Sequence, residues 1–289
     1  MKSNEDNKLA YVLMSPVLLY LLAVMVLPFG WAVYLSFTNK VVGVPATFIG
    51  FKNYIDLMKE SLFWKAVWNT LLFTVVAVAG KTVFGMIMAL VLNEKIIFRN
   101  VFRVLLFLPW TIPTIVSVFT WQWIYSDVGG VLNYMLMKTG MLKQPVGWLA
   151  TPDLAMFSVI LVNVWRGIPF MGIAILAGLQ TISREMYEAA MLDGAGAIKR
   201  FFYMTLPSVK EVTILAAVMT TIWTLNDFEI IWLLTRGGPS NGTQVLSTLS
   251  YTIGFLNMNL GKAIAIAILT MPPLIMLINI VTKRSLSKE

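Results

Sequence analysis

The chain has 289 residues, of which 58% are hydrophobic, and its mean hydropathy is +0.78. Charged residues make up 12%, against roughly 25% in a soluble domain. The sequence has neither Cys nor His, which excludes disulfides, thiolate or imidazole metal sites and Ser-His-Asp catalysis. The net charge of +8 would indicate nucleic-acid binding in a soluble protein. Because the basic residues flank apolar runs here, the composition indicates a membrane protein instead.

Six apolar runs each have about the 20 residues that a membrane-spanning helix needs. The first follows two lysines, as the apolar run of a signal peptide does, but it is too long and no small-residue cleavage site follows it. We therefore predict an all-α integral membrane protein with six transmembrane helices, in a single domain over residues 1–289. The runs are Leu9–Phe37, Ala66–Leu92, Val104–Tyr125, Leu154–Leu179, Val212–Thr235 and Leu260–Thr282.

Basic residues are distributed unequally between the two sides of these spans. Twelve fall on one side, and eight are spread over the longer loops of the other side. Because Lys and Arg concentrate in cytoplasmic loops, the denser side is predicted to be cytoplasmic, and an even number of spans places both termini there. The twelve are Lys2, Lys8, Lys95, Arg99, Arg103, Arg184, Lys199, Arg200, Lys210, Lys283, Arg284 and Lys288.

A polar segment at residues 183–207 separates the fourth and fifth spans. Ser183 is a candidate N-cap, and Glu188 follows near the start of the helix, where the dipole favours anions. Gly194-Ala195-Gly196 predicts a turn that requires positive φ, and Pro207 is expected to end the second helix. This helix-turn-helix fits either an amphipathic element on the membrane surface or, because its small alanines permit close approach, a docking element for another protein.

The spacing within this segment resembles the EAA loop of bacterial ABC importer permeases. The matching pattern is Glu188-Ala189-Ala190, three residues, Gly194, nine residues, and then Met204-x-Leu206-Pro207, with Met204 where the family has Ile. The segments FIGFKNYIDL, NTLLFTV, LPWTIP and LLTRGGPSNGT also resemble the binding-protein-dependent sugar permeases of the maltose, lactose and glycerol-3-phosphate type. The resemblance extends over nearly the whole chain and is to the shorter members, which lack a large external insert.

This resemblance implies a type I ABC importer permease that forms half of a pore in the cell membrane. The implied partners are a second permease subunit, homologous but different, two ATPase subunits and an extracytoplasmic solute-binding protein. ATP and Mg²⁺ would bind the ATPases, since this chain has no G-x-x-x-x-G-K-[ST] loop. The chain itself is expected to be no enzyme and to bind no cofactor, metal or nucleic acid. The implied ATPase-coupling residues are Glu188, Ala189, Ala190, Asp193, Gly194, Leu206 and Pro207.

Polar residues within the spans fall into stripes at helical spacing. A charge at mid-bilayer costs about 2.5–3.5 kcal/mol, so such residues indicate function, although Thr, Asn and Gly also join membrane helices. Aromatic faces beside short hydrogen-bonding side chains suit a sugar. The resemblance implies that these positions, apart from Arg166, lie near the sugar. It supplies no family identity for Arg166 or Asp227, which rest on spacing and charge. The predicted substrate-binding residues are Trp110, Thr114, Asn163, Arg166, Gly167, Thr220, Trp223, Thr224 and Asp227.

Arg166 and Asp227 are charged residues inside two of these stripes. A direct pair would offset much of the cost of burying each charge, so we expect them to act together at the pore. An alternative is that Arg166 faces an anionic solute, such as a phosphorylated polyol, with Asp227 only tuning it.

Three other classes of membrane protein have weaker support in the sequence. An intramembrane enzyme would need a catalytic constellation, and an ion-coupled carrier would need titratable relay groups, of which the His-free spans offer few. A channel would need a filter-like loop. The predicted function is therefore import of a sugar or oligosaccharide, with glycerol-3-phosphate or a similar polyol phosphate as the alternative solute.

The predicted topology can be tested by thiol labelling, because the native chain has no Cys to react. Cys introduced at Ser3 or at Ser287 should resist an impermeant thiol reagent in intact cells, whereas Cys at Ser240 should react. Permeabilised cells provide the control, since all three positions should then label. Labelling of the Ser287 variant in intact cells would overturn the assignment of the termini to the cytoplasm.

Overall fold

A computed structural model of the chain describes residues 2–94 and 97–286. Lys95, Lys288 and the labelling position Ser287 lie outside these residues. Two isolated β-bridges are the only extended pairing in the described part, which is otherwise helical. The helices are α1 Lys2–Leu21, α2 Leu27–Ser36, α3 Lys52–Lys59, α4 Ser61–Asn93, α5 Arg99–Thr111, α6 Thr114–Ile124, α7 Val131–Lys138, α8 Pro152–Leu179, α9 Arg184–Leu192, α10 Ala197–Arg200, α11 Leu206–Leu225, α12 Glu229–Thr235, α13 Leu246–Tyr251 and α14 Leu260–Leu286.

Five helical stretches in the described residues are long and apolar enough to cross a membrane, and a bent pair of helices supplies a sixth if it counts as one span. The all-α membrane fold with six spans is thus confirmed, although some bounds differ from the prediction. The stretches are Tyr11–Ser36, Ser61–Asn93, Pro152–Leu179, Ala197–Leu225 and Leu260–Ile280, and the bent pair is Asn100–Thr111 with Thr114–Ile124.

The third predicted span is not one continuous helix, because α5 and α6 meet at 95°. Ile112 and Pro113 between them have ψ angles of 134° and 137°. A residue before proline is pushed out of the helical region, and proline itself has no N–H to donate. The sequence therefore breaks the helix in the middle of the apolar run.

The fifth predicted span, Val212–Thr235, has the wrong bounds at both ends. The helical stretch begins at Ala197 and ends at Leu225, and α12 is a separate short helix after a break. Pro207 does not end the helix. A π-helical turn at Phe201–Thr205 leads directly into α11, and Pro207 lies in the first turn of α11. Proline is tolerated in a first turn, where no donor is needed.

The turn after α9 has the geometry that its glycine predicts. Gly194 has φ +73°, its N–H donates to the carbonyl of Met191, and the N–H of Ala195 donates to the carbonyl of Ala190. This pair of bonds is a Schellman motif, which satisfies the last carbonyls of the helix. Ser183 occupies the predicted N-cap position, but its side chain makes no capping hydrogen bond.

The chain divides into two compact units, and the single domain over residues 1–289 stays a prediction. The first comprises the described parts of 1–61 and 249–272. In it, the Asn53 amide donates to the carbonyls of Ser36 and Thr38, and Lys262 forms an ion pair with Glu60.

The second unit, residues 62–248 with the described part of 273–289, contains two apolar clusters. One joins α4, α6, α8 and α12, and includes Phe73, Val162 and Ile230. The other joins α4, α8 and α11, and includes Met86 and Met171. Both α4 and α8 contribute to the two clusters at different points along their length. Polar residues lie on each helix between those two points.

The loop that follows α12 is held by the first turns of α4. The Asn69 amide donates to the carbonyls of Asn241, Gly242 and Gln244 at 2.9–3.3 Å. The Lys65 ammonium donates to the carbonyl of Ser240 at 2.8 Å. These bonds satisfy loop carbonyls that have no helical partner, and they fix the end of the segment that begins at α12.

Helices α4 and α8 approach closely because glycines lie where they meet. A Cβ on Gly167 would lie 2.5 Å from Cε and 2.6 Å from Cδ of Lys81, and one on Gly85 would lie 2.6 Å from Met171 Cγ. Small residues at such contacts let membrane helices pack backbone to backbone. The Lys81 stem therefore crosses the face of α8 through space that only glycine leaves open.

Replacing Gly167 by Ala should destabilise the folded protein by about 1–3 kcal/mol, because the added methyl overlaps the Lys81 stem. The measurement is the thermal-unfolding midpoint in detergent. Gly30→Ala is the matched control, since nothing lies within 4 Å of a Cβ at that helical position. Lys81→Ala removes the overlapping stem, so Gly167→Ala should cost less in the Lys81→Ala background than in the parent. A midpoint of Gly167→Ala equal to that of Gly30→Ala would contradict this.

Candidate functional site

A cavity of about 480 Å³ opens in the second unit where the interrupted helices meet. Its walls come from α4, α5, α6, α8 and α11, together with the stretch from the end of α11 into α12. Its size falls in the range of small-molecule sites, about 300–1,000 Å³. The lining residues are Lys81, Trp110, Thr114, Asn163, Arg166, Gly167, Trp223, Thr224, Asn226, Asp227, Phe228, Glu229 and Ile230.

Lys81 reaches this cavity from the middle of α4. The residue is 4% exposed, and its Nζ donates to Oγ1 of Thr224 at 2.9 Å. The Thr224 hydroxyl in turn donates to the carbonyl of Thr220 at 2.6 Å. The ammonium is thus held by a neutral hydroxyl whose own proton is directed into its helix.

Asp227 lies in the break between α11 and α12 and is held from two sides. Its Oδ2 accepts a hydrogen bond from Nδ2 of Asn163 at 2.6 Å, and its Oδ1 accepts from the N–H of Ile230 at 3.3 Å. The second bond satisfies a donor in the first turn of α12, where a carboxylate is favoured. Lys81 attracts this carboxylate electrostatically, and Glu229 repels it.

Arg166 does not pair with Asp227, so the expected ion pair is wrong. Its Nη1 donates to the carbonyl of Ile112 at 2.9 Å, and the one ion pair in the described residues joins Lys262 to Glu60. The reason is the bend before Pro113, which leaves the Ile112 carbonyl without a helical partner. Arg166 and Asp227 nevertheless line the same cavity.

Two tryptophans present apolar faces beside these polar groups. Trp110 and Trp223 are 46% and 48% exposed, so their rings are available for contact. Trp223 also packs edge-on against Phe170, with ring centroids 4.7 Å apart, which fixes its orientation. Within the described residues, the buried Oδ1 of Asn163 accepts no hydrogen bond. The cavity therefore combines aromatic faces with hydrogen-bonding groups, one acceptor of which is unused.

Eight of the nine predicted substrate-binding residues line this cavity. The exception, Thr220, is 3% exposed and lies one turn from Thr224 along α11. The sequence prediction omitted Lys81, Asn226, Phe228, Glu229 and Ile230 from the lining. Lys81 carried a usable signal, because a charge inside a span indicates function. Glu229 lines the cavity because a new helix, α12, begins at this residue after the break.

The predicted coupling residues lie mainly on α9 and its Schellman turn. No residue of α9 is buried; its last residue, Leu192, is 90% exposed, and Ile198 on α10 is 76% exposed. The Tyr187 hydroxyl bonds to the Thr205 hydroxyl at 3.0 Å, which ties α9 to the π-helical turn before α11. The segment thus exposes apolar side chains while remaining joined to a spanning helix.

In the described part of the chain, no group of three or more acidic residues could hold a metal ion. The cavity lining has two carboxylates, Asp227 and Glu229, and both oxygens of Asp227 already accept hydrogen bonds, from Asn163 and Ile230. The arrangement is suited to binding through hydrogen bonds and aromatic contact.

Similar chains are known from archaea and bacteria. The trehalose/maltose transport system permease protein MalF of Thermococcus litoralis is 38% identical over 266 residues, which cover 91% of this chain and 89% of that protein. The sulfoquinovosyl glycerol transport system permease protein SmoG of Agrobacterium fabrum is 36% identical over 265 residues, which cover 90% and 85%.

A solved structure has the same fold. A bacterial ABC transporter involved in the import of the acidic polysaccharide alginate contains a chain that matches with a TM-score of 0.83 and 24% identity, covering 98% of this chain and 97% of that one. Residues 81–285 match the family described as the binding-protein-dependent transport system inner membrane component. The match includes Lys81 and every other residue of the cavity, and the chain belongs to this family of ABC importer permeases.

Proposed function

We propose that this chain is the permease subunit of an ATP-driven importer and that its cavity takes a sugar or oligosaccharide. The observation that carries the proposal is the convergence of eight predicted residues from separate helices on one cavity. Residues at helical spacing on a single helix can serve packing alone. Convergence from several helices around an open space is the property of a ligand site.

The chemistry of the lining supports a carbohydrate. Trp110 and Trp223 offer exposed rings that suit the apolar C–H faces of a sugar. Asn163 has an unused acceptor, and Thr114 and Asn226 add short polar side chains that can bond hydroxyls. The relatives named for trehalose, maltose and sulfoquinovosyl glycerol transport all handle glycosides, which supports this class of solute.

The partners in this proposal are a second permease subunit, two ATPase subunits and an extracytoplasmic binding protein, with both termini in the cytoplasm. A solved structure related in fold is the alginate transporter in complex with an alginate pentasaccharide-bound periplasmic protein, which supports the binding-protein partner. The exposed side chains of Leu192 on α9 and Ile198 on α10 support the ATPase contact, because exposed apolar patches mark interaction surfaces.

Reconstitution into proteoliposomes tests the solute proposal. We expect uptake of a labelled sugar, with maltose and trehalose as first probes, to require both ATP and the binding protein. Trp223→Ala should lower uptake about tenfold, because a lost aromatic contact is worth roughly 1.4 kcal/mol. Trp123→Ala is the matched control, since this exposed tryptophan on α6 does not line the cavity.

Uptake that continues without ATP or without the binding protein would contradict the importer proposal. Equal uptake by the Trp223 and Trp123 variants would remove the cavity from the solute path. Titrating the purified binding protein with maltose, trehalose and glycerol-3-phosphate first identifies the class of solute, so that failure of one probe is not mistaken for failure of transport.

Gly194→Pro should uncouple ATP hydrolysis from solute uptake. Gly194 has φ +73°, which proline cannot adopt, so the turn after α9 cannot form. We expect uptake to fall tenfold or more while the assembled complex still hydrolyses ATP. Gly196→Ala is the matched control, because its φ is −65° and nothing lies within 4 Å of an added Cβ.

The two activities are measured together in the same proteoliposomes, with the amount of each variant in the membrane checked by immunoblot. Coupled uptake by Gly194→Pro at the rate of Gly196→Ala would show that this turn has no part in coupling.

A further inference from the structure

We propose that Lys81 determines which solutes the cavity accepts, because its ammonium balances Asp227 and keeps the lining electrically neutral. The inference rests on the proposed function of the cavity as the solute path, and it assigns to Lys81 a specificity-determining role. With Lys81 in place, the balanced lining favours an uncharged sugar. Without it, the excess negative charge would favour a cationic solute and would repel a sugar acid, sugar sulfonate or sugar phosphate.

The first support is the way in which the chain delivers this ammonium to the cavity. The Lys81 stem crosses α8 at Gly167, where even a methyl group would overlap its Cδ and Cε. Its Nζ then bonds to Thr224 on α11. A lysine inside a membrane span would ordinarily extend toward the bilayer surface. Here a glycine and a hydroxyl on two other helices keep it in the interior.

The second support is the balance of charge around the cavity. The lining has two cationic side chains, Lys81 and Arg166, and two anionic ones, Asp227 and Glu229. Lys81 is buried and Asp227 is partly buried. Because a buried charge is costly unless it is balanced, the loss of either would leave an excess charge in a partly wet space. An uncharged sugar adds no charge to this set, whereas an anionic one would.

The third support is that Lys81 forms no direct ion pair within the described residues. Its protein acceptor in the described residues is the neutral Thr224 hydroxyl, which leaves two ammonium donors without a protein acceptor. Arg166, by contrast, donates to the Ile112 carbonyl at the helix bend. The charge of Lys81 therefore acts on the cavity itself, and Asp227 is the carboxylate that it attracts.

The charge of the cavity can be measured without any sugar, by thiol labelling of the complete importer in membranes. The chain has no Cys, and Asn226 is an exposed lining residue, so Asn226→Cys places one thiol at the site. The probes are the trimethylammonium-ethyl and sulfonatoethyl methanethiosulfonates, which carry opposite charges. The ratio of the two labelling rates reports the electrostatic potential at the thiol. The intrinsic reactivity of the thiol affects both rates equally and therefore cancels in the ratio.

In the Asn226→Cys background, Lys81→Met should raise the cation-to-anion rate ratio about tenfold, as expected for one charge within roughly 10 Å in a partly wet site. Asp227→Asn should lower the ratio about tenfold, and the double variant should return to within about threefold of the parent. Lys81→Gln provides a second neutral variant should Lys81→Met fail to fold.

Lys262→Met is the matched control, because it also removes one lysine charge but from an ion pair with Glu60, outside the cavity lining. Its ratio should stay within about twofold of the parent. A ratio that Lys81→Met and Lys81→Gln leave unchanged would overturn the proposal and leave Lys81 with a packing role. Because no sugar is present, this outcome is distinct from a failure of the transport proposal, which only the uptake assay reports.

Discussion

The interior of a membrane offers no hydrogen-bond partners, so each break in a spanning helix has to be satisfied by the protein itself. Two breaks border the cavity, and charged side chains satisfy both of them. Arg166 donates to the carbonyl of Ile112 at the bend between α5 and α6. Asp227 accepts from the N–H of Ile230 at the start of α12. Arg166 and Asp227 thus make the cavity polar and also satisfy the backbone groups that the two helix breaks leave free.

This constraint explains how far the site could be predicted from the sequence. Helical spacing brought Asn163, Arg166 and Gly167 together correctly, because α8 remains regular through this stretch. It failed for the expected Arg166–Asp227 pair, because the chain is not helical between Leu225 and Glu229. Thr220 shares a face of α11 with Thr224 but lies one turn away from the cavity, and helical spacing does not show where along a helix the cavity ends. Periodicity assumes an unbroken helix, and partner choice at a break depends on which backbone groups have been left free.

The span bounds show a similar limit at two prolines. A π-helical turn ends at Val26, two residues before Pro28, and another ends at Thr205, two residues before Pro207. The proline ring would clash with the carbonyl four residues earlier in a regular helix, and an extra residue in the preceding turn changes which carbonyls face it. The helix therefore continues past Pro207, where the sequence predicted an end, as it continues past Pro28 within the first predicted span. The sequence shows where a proline lies, but it does not predict that a π-helical turn will precede it.

Arg166 and Asp227 each satisfy a helix break and line the cavity, and this limits how the solute preference of such a chain can change in evolution. Any substitution at these positions changes both the backbone of the membrane region and the chemistry of the cavity, so natural selection cannot adjust one without the other. Trp110, Thr114 and Trp223 line the same cavity and close no helix break, which leaves them free to vary. New solute preferences can therefore arise most readily at those three positions, on a framework that the charged residues hold constant.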